Sequence, residues 1–198
     1  LSIGLGSSGV TLYELVSAYS AFANNGIRVE PQGIRRIENR KGEILFIEKN
    51  NKTEAITSGL ANIVTSLLQS VVQEGTAKKV RALGRPIAGK TGTTNNYIDA
   101  WFIGFTPKLL TGVWVGKDNV EPLGKNETGS RTAIPIWLDY MKRALANTPI
   151  YNFSVSPETV LAKINPESGN LTDSEDPKAF FEIFLKNNIP DKQNNQLE

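Results

Sequence analysis

Three stretches of the chain carry apolar residues at helical spacing, and between them the period shortens to two. Leu12, Leu15, Val16, Tyr19, Phe22 and Ala23 recur by three and four, which predicts a first helix. Thr11 and Glu14 mark its start in the T-x-x-E order of a capping box, and Gly26 after Asn24-Asn25 marks its stop. Leu60, Ile63, Val64, Leu67, Leu68, Val71 and Val72 predict a second helix, from a Thr57/Ser58 cap to Gly75, with the whole stripe buried. Ile134, Trp137, Leu138, Met141 and Leu145 predict a third, from about Thr132 to Ala146, with Pro135 accommodated in its first turn.

Between the first two helices, Gly33–Glu38 and Glu43–Glu48 read as strands joined by a turn at Asn39-Arg40-Lys41-Gly42. A short helical or irregular piece, Ala77–Leu83, leads to Pro86. The segments Pro86–Thr93, Ala100–Thr106 and Leu109–Gly116 are rich in β-branched and aromatic residues and separated by turn formers. The order predicts an α+β fold, with helices packed on an antiparallel sheet. Residues 1–149 form the expected body. Residues 150–198 read as an acidic, partly disordered tail holding Pro157, Pro166, Pro177 and Pro190, a final Asn/Gln-rich run, and one apolar piece, Ala179–Leu185, expected to dock as a helix.

Composition removes whole classes of chemistry. The 198 residues include no Cys and no His, so this chain supplies no disulfide, thiol nucleophile, Ser-His-Asp relay or His-ligated zinc. No cofactor or metal is expected. A net charge of +2 gives no sign of a nucleic-acid partner. The charge is uneven: residues 1–149 hold 18 Lys/Arg against 12 Asp/Glu, residues 150–198 hold 4 against 8. No apolar run reaches the roughly 18–20 residues of a membrane-spanning helix. The chain opens on Leu1 in an apolar, Gly-rich stretch, which is the expected look of a piece cut from a longer polypeptide.

One motif invites two opposed readings. Gly84 to Thr91 matches the phosphate-loop pattern G-x-x-x-x-G-K-[ST]. Such a loop works because backbone N–H groups cradle phosphate at the start of a helix. Gly92-Thr93-Thr94-Asn95-Asn96 is a poor helix start, and Pro86 removes one of the N–H groups the phosphates need, so the phosphate reading fails on context. Placed on a strand, the same Lys90-Thr91-Gly92 is the K-T-G signature of penicillin-recognising enzymes. Alternation then puts Thr91 and Thr93 on one face, where two hydroxyls suit a carboxylate; Lys90 adds positive charge and Gly92 leaves the opposite face clear. The strand edge would suit an extended peptide pairing through main-chain hydrogen bonds.

The neighbouring residues extend the match. Lys90 through Asn95, Asp99 through Pro107, Gly112 through Gly116, Glu127 through Arg131, Ala133 through Trp137, and the opening from Leu5-Gly6 to Asn25-Gly26 resemble, in order, the class A penicillin-binding proteins. The resemblance implies an antiparallel-sheet serine transpeptidase fold and a peptidoglycan DD-transpeptidase that cross-links stem peptides and is acylated by β-lactams. It implies Lys90 as a catalytic residue and Thr91, Gly92, Thr93, Thr94 and Asn95 as substrate-binding residues, with the Thr93 backbone at the oxyanion. Implied partners are the D-Ala-D-Ala stem peptide, β-lactams and the missing N-terminal half of the domain. The parent is expected outside the cytoplasm, held to the membrane only by an anchor absent from this chain.

This chain departs from the family pattern in one respect that matters. No serine is followed by Lys at the third position, so S-x-x-K and its nucleophile are missing. The one S-x-N match, Ser168-Gly169-Asn170, follows K-T-G rather than preceding it and reads as chance. The chain alone is therefore expected to be inactive, with apolar faces left for the missing half to cover. A non-catalytic peptide- or β-lactam-binding module and a β-lactamase-type hydrolase are the alternatives. Trp101, Trp114 and Trp137 read as packing residues, Asp99 as a turn or N–H acceptor, and Tyr97 as a neighbour of the cleft.

Overall fold

The computed structural model describes residues 8–49, 52–173 and 177–192. The opening Leu5-Gly6 lies outside the described residues, as do 193–198 of the last eight or so residues expected to be disordered; Asp191 is placed, its carbonyl accepting the Leu171 N–H at 2.9 Å.

Helix α1 (Leu12–Ala23) starts as the capping box requires: Glu14 N–H donates to Thr11 Oγ1 at 3.2 Å, and Thr11 N–H donates to Glu14 Oε2 at 2.8 Å. That return bond, first to the Thr11 backbone and then to its hydroxyl, holds the Glu14 carboxyl below its ordinary value of 4.5. A carboxyl lowered on folding contributes stability above its unfolded pKa and loses it as pH falls through the folded one. Thr11→Ala is expected to cost about 1 kcal/mol at neutral pH. The substitution keeps the backbone bond and removes the hydroxyl's, so the wild-type advantage should shrink in part as falling pH protonates Glu14, as read from denaturation midpoints at pH 7 and pH 3.

After α1, strand β1 (Ile27–Val29) pairs antiparallel with β4 (Lys52–Glu54), enclosing the expected hairpin of β2 (Arg36–Glu38) and β3 (Ile44–Ile47). Asn39 builds the turn: its Oδ1 accepts the N–H groups of Lys41 and Glu43. Both outer strands went unread in the sequence. They are three residues long, and their pairing joins segments far apart in the chain.

Helix α2 (Ser58–Gln73) is capped by Thr57, but its buried face is not the expected one. Ala61, Thr65, Leu68 and Val72 are buried, whereas Leu60 and Leu67 are exposed. The seven apolar positions span more of the helix surface than its neighbours cover, and the small residues Ala61 and Thr65 mark the side of close approach.

The central sheet is β5 (Ala88–Thr93), β6 (Ala100–Phe105) and β7 (Leu110–Val115), antiparallel in the order β5-β6-β7. On one face, Leu12 and Val16 of α1 pack at Gly112. On the other, α3 (Ile134–Ala144) buries Trp137 edge-on against Phe102, with ring centroids 5.1 Å apart. The Trp137 indole N–H donates to the carbonyls of Gly104 and Thr111, so the largest buried side chain is also polar-satisfied. Helix α2 contributes to both cores, with Val72 on the Phe102 side and Leu68 on the Phe105 side. Arg85 donates to the carbonyls of Leu145, Thr148 and Pro149, tying the end of α3 to the approach to β5.

The tail departs from expectation. Ala179–Leu185 is not a helix: Phe180–Leu185 is a strand, β9, paired antiparallel with β8 (Thr159–Ile164). A six-residue run with three Phe, one Ile, one Leu and a Glu is too short to decide between helix and strand by period, and β pairing decides it. The hairpin docks on the start of α2, where the Glu158 carboxylate accepts the Gly59 N–H at 2.8 Å and the Ser58 and Ser156 hydroxyls meet at 2.8 Å. Ser168-Gly169-Asn170 closes the turn after β8, with Gly169 at φ 72°.

Candidate active site

Lys90, Thr91 and Gly92 lie in the middle of β5, at the edge of the central sheet, and no α-helix begins at them. The phosphate-loop geometry is therefore absent, and Arg85 of that pattern is spent on α3. The register places Lys90 opposite Ile103 and Gly92 opposite Trp101. These even-numbered positions face a cavity of about 1050 Å³, walled by Leu12, Leu15 and Tyr19 of α1 and by Trp101, Ile103 and Trp114 of the sheet. Burial in this apolar wall pushes the Tyr19 hydroxyl above its ordinary pKa of 10.0. The exposed Lys90 ammonium donates to the Thr91 carbonyl at 2.9 Å.

Thr91 and Thr93 alternate with these positions along the strand, Thr91 also bordering the cavity, and each hydroxyl has a partner that sequence reasoning missed. Thr91 Oγ1 is 2.7 Å from Thr76 Oγ1, just beyond the end of α2. Thr93 Oγ1 accepts the Gly129 N–H at 3.2 Å. Gly129 opens a π-type turn (Gly129–Ala133) running into α3. It sits so close to the backbones of Gly92 and Trp101 that a Cβ there would collide with both carbonyls. The Glu127–Arg131 block had carried a resemblance but no role; nothing in the sequence around Thr76 marked it.

The remaining expected residues divide. Thr94 lines the cavity and accepts the Asp99 N–H on its hydroxyl at 2.8 Å. Asn95 begins a short 3₁₀ turn, Asn95–Tyr97, and is not among the lining residues. Asp99 is an acceptor, taking the Trp114 indole N–H at 2.8 Å and the Thr94 hydroxyl at 3.2 Å. Gly92 borders the cavity, and a Cβ there would stand 3.1 Å from Trp101 Cβ, so a side chain at this position would crowd the cavity wall. Of the tryptophans, Trp137 is core, while Trp101 and Trp114 line the cavity. Among the described residues no group of His, Cys, Asp and Glu could hold a metal ion.

A K-T-G edge strand bordering an apolar cavity, with two threonine hydroxyls at alternate positions, in an α+β frame, defines the class. The family model for the penicillin binding protein transpeptidase domain matches residues 1–142, and the chain belongs to that family. Within it the likeness is to penicillin-binding protein 1A. That protein from Aquifex aeolicus (strain VF5) is 40% identical over 189 residues, covering 96% of this chain and 26% of the relative. The crystal structure of penicillin-binding protein 1A from Haemophilus influenzae matches with a TM-score of 0.88 at 28% identity, over 97% of this chain and 34% of that one. A ceftriaxone acyl-enzyme complex of penicillin-binding protein A from M. tuberculosis shares the fold, at TM-score 0.55 and 22% identity, over 66% of this chain and 31% of that one. The chain spans about a quarter of the length of the curated relatives it matches.

Proposed function

We propose that this chain is the donor-binding part of a peptidoglycan DD-transpeptidase, and that the nucleophilic serine comes from a parent polypeptide of which it is a piece. In that reaction the serine attacks the carbonyl between the two terminal D-alanines, and the last D-alanine leaves with a proton. The amine of a second stem peptide then takes the acyl group and frees the serine. Lys90 supplies charge and proton transfer at the serine, Thr91 and Thr93 hold the donor carboxylate, and the Thr93 N–H stabilises the oxyanion. The parent works outside the cytoplasm as a membrane-anchored synthase, with residues 1–149 as the transpeptidase body and the acidic 150–198 segment appended to it.

The observation that carries this reading is the arrangement on β5: two threonine hydroxyls at alternate positions, Lys90 and Thr91 bordering one apolar cavity, and an edge position open to an extended peptide. Exposed apolar side chains such as Val10 and Tyr13, beside the same cavity, are surface for the remainder of the parent to cover.

Intact-mass measurement with a fluorescent penicillin tests the assignment. The 198-residue chain should gain no mass, and the parent should gain one adduct at a serine outside these residues. An adduct on this chain would refute the missing nucleophile. A parent with no reactive serine, yet with saturable penicillin binding, would instead establish the non-catalytic binding module, which differs from the first reading only in that serine. In the parent, Thr93→Val should slow acylation about ten- to hundredfold, the loss of one hydrogen bond to a charged group. An unchanged rate would remove Thr93 from carboxylate binding.

A further inference from the structure

The two hydroxyls assigned to the donor carboxylate are engaged on their far sides by different kinds of partner. Thr93 Oγ1 accepts from a backbone amide, which only donates. Thr93 therefore uses a lone pair on Gly129 and keeps its own proton for another acceptor. Thr91 Oγ1 meets a second hydroxyl, Thr76 Oγ1, at 2.7 Å, and either oxygen can be the donor. The two directions differ sharply toward an anion. With Thr91 donating to Thr76, a carboxylate would face the lone pairs of Thr91. With Thr76 donating, the Thr91 proton is free, and the two hydroxyls form a chain polarised toward the negative charge.

We propose that Thr76 is a positioning residue of this site: its hydroxyl donates to Thr91 and so turns the Thr91 proton toward the carboxylate of the bound ligand. The array then becomes symmetric in function, with Gly129 N–H behind Thr93 and Thr76 O–H behind Thr91. Both protons point to the same anion. Thr76 is held for this task by its neighbours. The Gly75 N–H donates to Val71 O at 3.1 Å and the Ala77 N–H to the same carbonyl at 3.3 Å. Ala77 is fully buried in the core with Val72 and Phe102. Thr76 itself is exposed, with its hydroxyl beside β5.

This inference rests on the carboxylate role proposed for Thr91, and the experiment separates the two. In the parent polypeptide, acylation rates are measured with a penicillin carrying its free carboxylate and with the methyl ester of the same penicillin. Thr76→Val keeps the shape and removes the donor; it should slow the free acid about tenfold, leave the ester unchanged, and be rescued by Thr76→Ser. Thr91→Val is measured alongside. If Thr91→Val slows the acid and Thr76→Val does not, the Thr76 role is wrong and the carboxylate reading stands. If Thr91→Val has no effect, the carboxylate reading falls and this inference with it. Equal slowing of acid and ester by Thr76→Val would mark a packing contact and overturn the proposal.

Discussion

Replacing Lys90 with alanine in the parent polypeptide is expected to slow penicillin acylation by roughly two to three orders of magnitude, the range for losing a positioned acid–base group. The reason is local. Lys90 is the cation on β5, it stands at the apolar cavity beside Gly92, and its one described hydrogen bond is to the carbonyl of its own neighbour. Nothing in the fold depends on that bond, so circular dichroism and the thermal midpoint should barely change while the rate collapses. Lys90→Arg keeps the charge but is a poor proton carrier and should recover only a minor part. An acylation rate for Lys90→Ala within a few-fold of the parent's would show that the proton moves by another route and would overturn the catalytic assignment.

The second large effect is on stability. Trp137→Ala is expected to cost about 3–5 kcal/mol, the range for deleting a buried aromatic side chain. Trp137 is fully buried, stacks edge-on with Phe102, and satisfies its indole N–H on two carbonyls of the sheet. Its loss opens a cavity beneath β6 and leaves those carbonyls short of a donor. Against a total stability of about 5–15 kcal/mol for an ordinary domain, that is a large fraction. Trp114→Ala is the comparison: the residue is 44% exposed and its indole N–H donates to one carboxylate, so it should cost much less. Urea denaturation of the two variants gives the answer, and similar losses would mean that the packing of α3 on the sheet is not the main core.

Where the sequence was legible, the cause was short-range. Thr11 and Glu14 announce α1 because a capping box is written in four residues. The β6–β7 hairpin and the β2–β3 hairpin could be read because both strands and their turn lie in one window. K-T-G could be placed on a strand because the following glycine and threonines forbid a helix there. What stayed hidden depended on contacts distant in sequence. β1 and β4 exist through each other, across the intervening hairpin. The true buried face of α2 is set by which neighbours reach it, so Leu60 and Leu67 point outward despite their spacing. The strand β9 was mistaken for a helix because β8, its partner, lies on the far side of a long turn. At the site the same division holds: Lys90 and the two threonines were named from a motif, whereas Thr76 and Gly129 act through oxygen and amide positions that only folding brings within reach.

The edge position of β5 has a cost of its own. A strand left open so that a peptide can lie along it is equally open to the same strand of another molecule, and sheet edges are ordinarily guarded against that by prolines, bulges or charge. β5 has the sequence Ala-Gly-Lys-Thr-Gly-Thr, with no proline and a single charged residue. Two copies paired antiparallel with Lys90 opposite Lys90 would bring the two ammonium groups together on one face, at a cost from like charge. The lysine assigned to chemistry is thus also the guard of the edge, and solubility and catalysis constrain position 90 together.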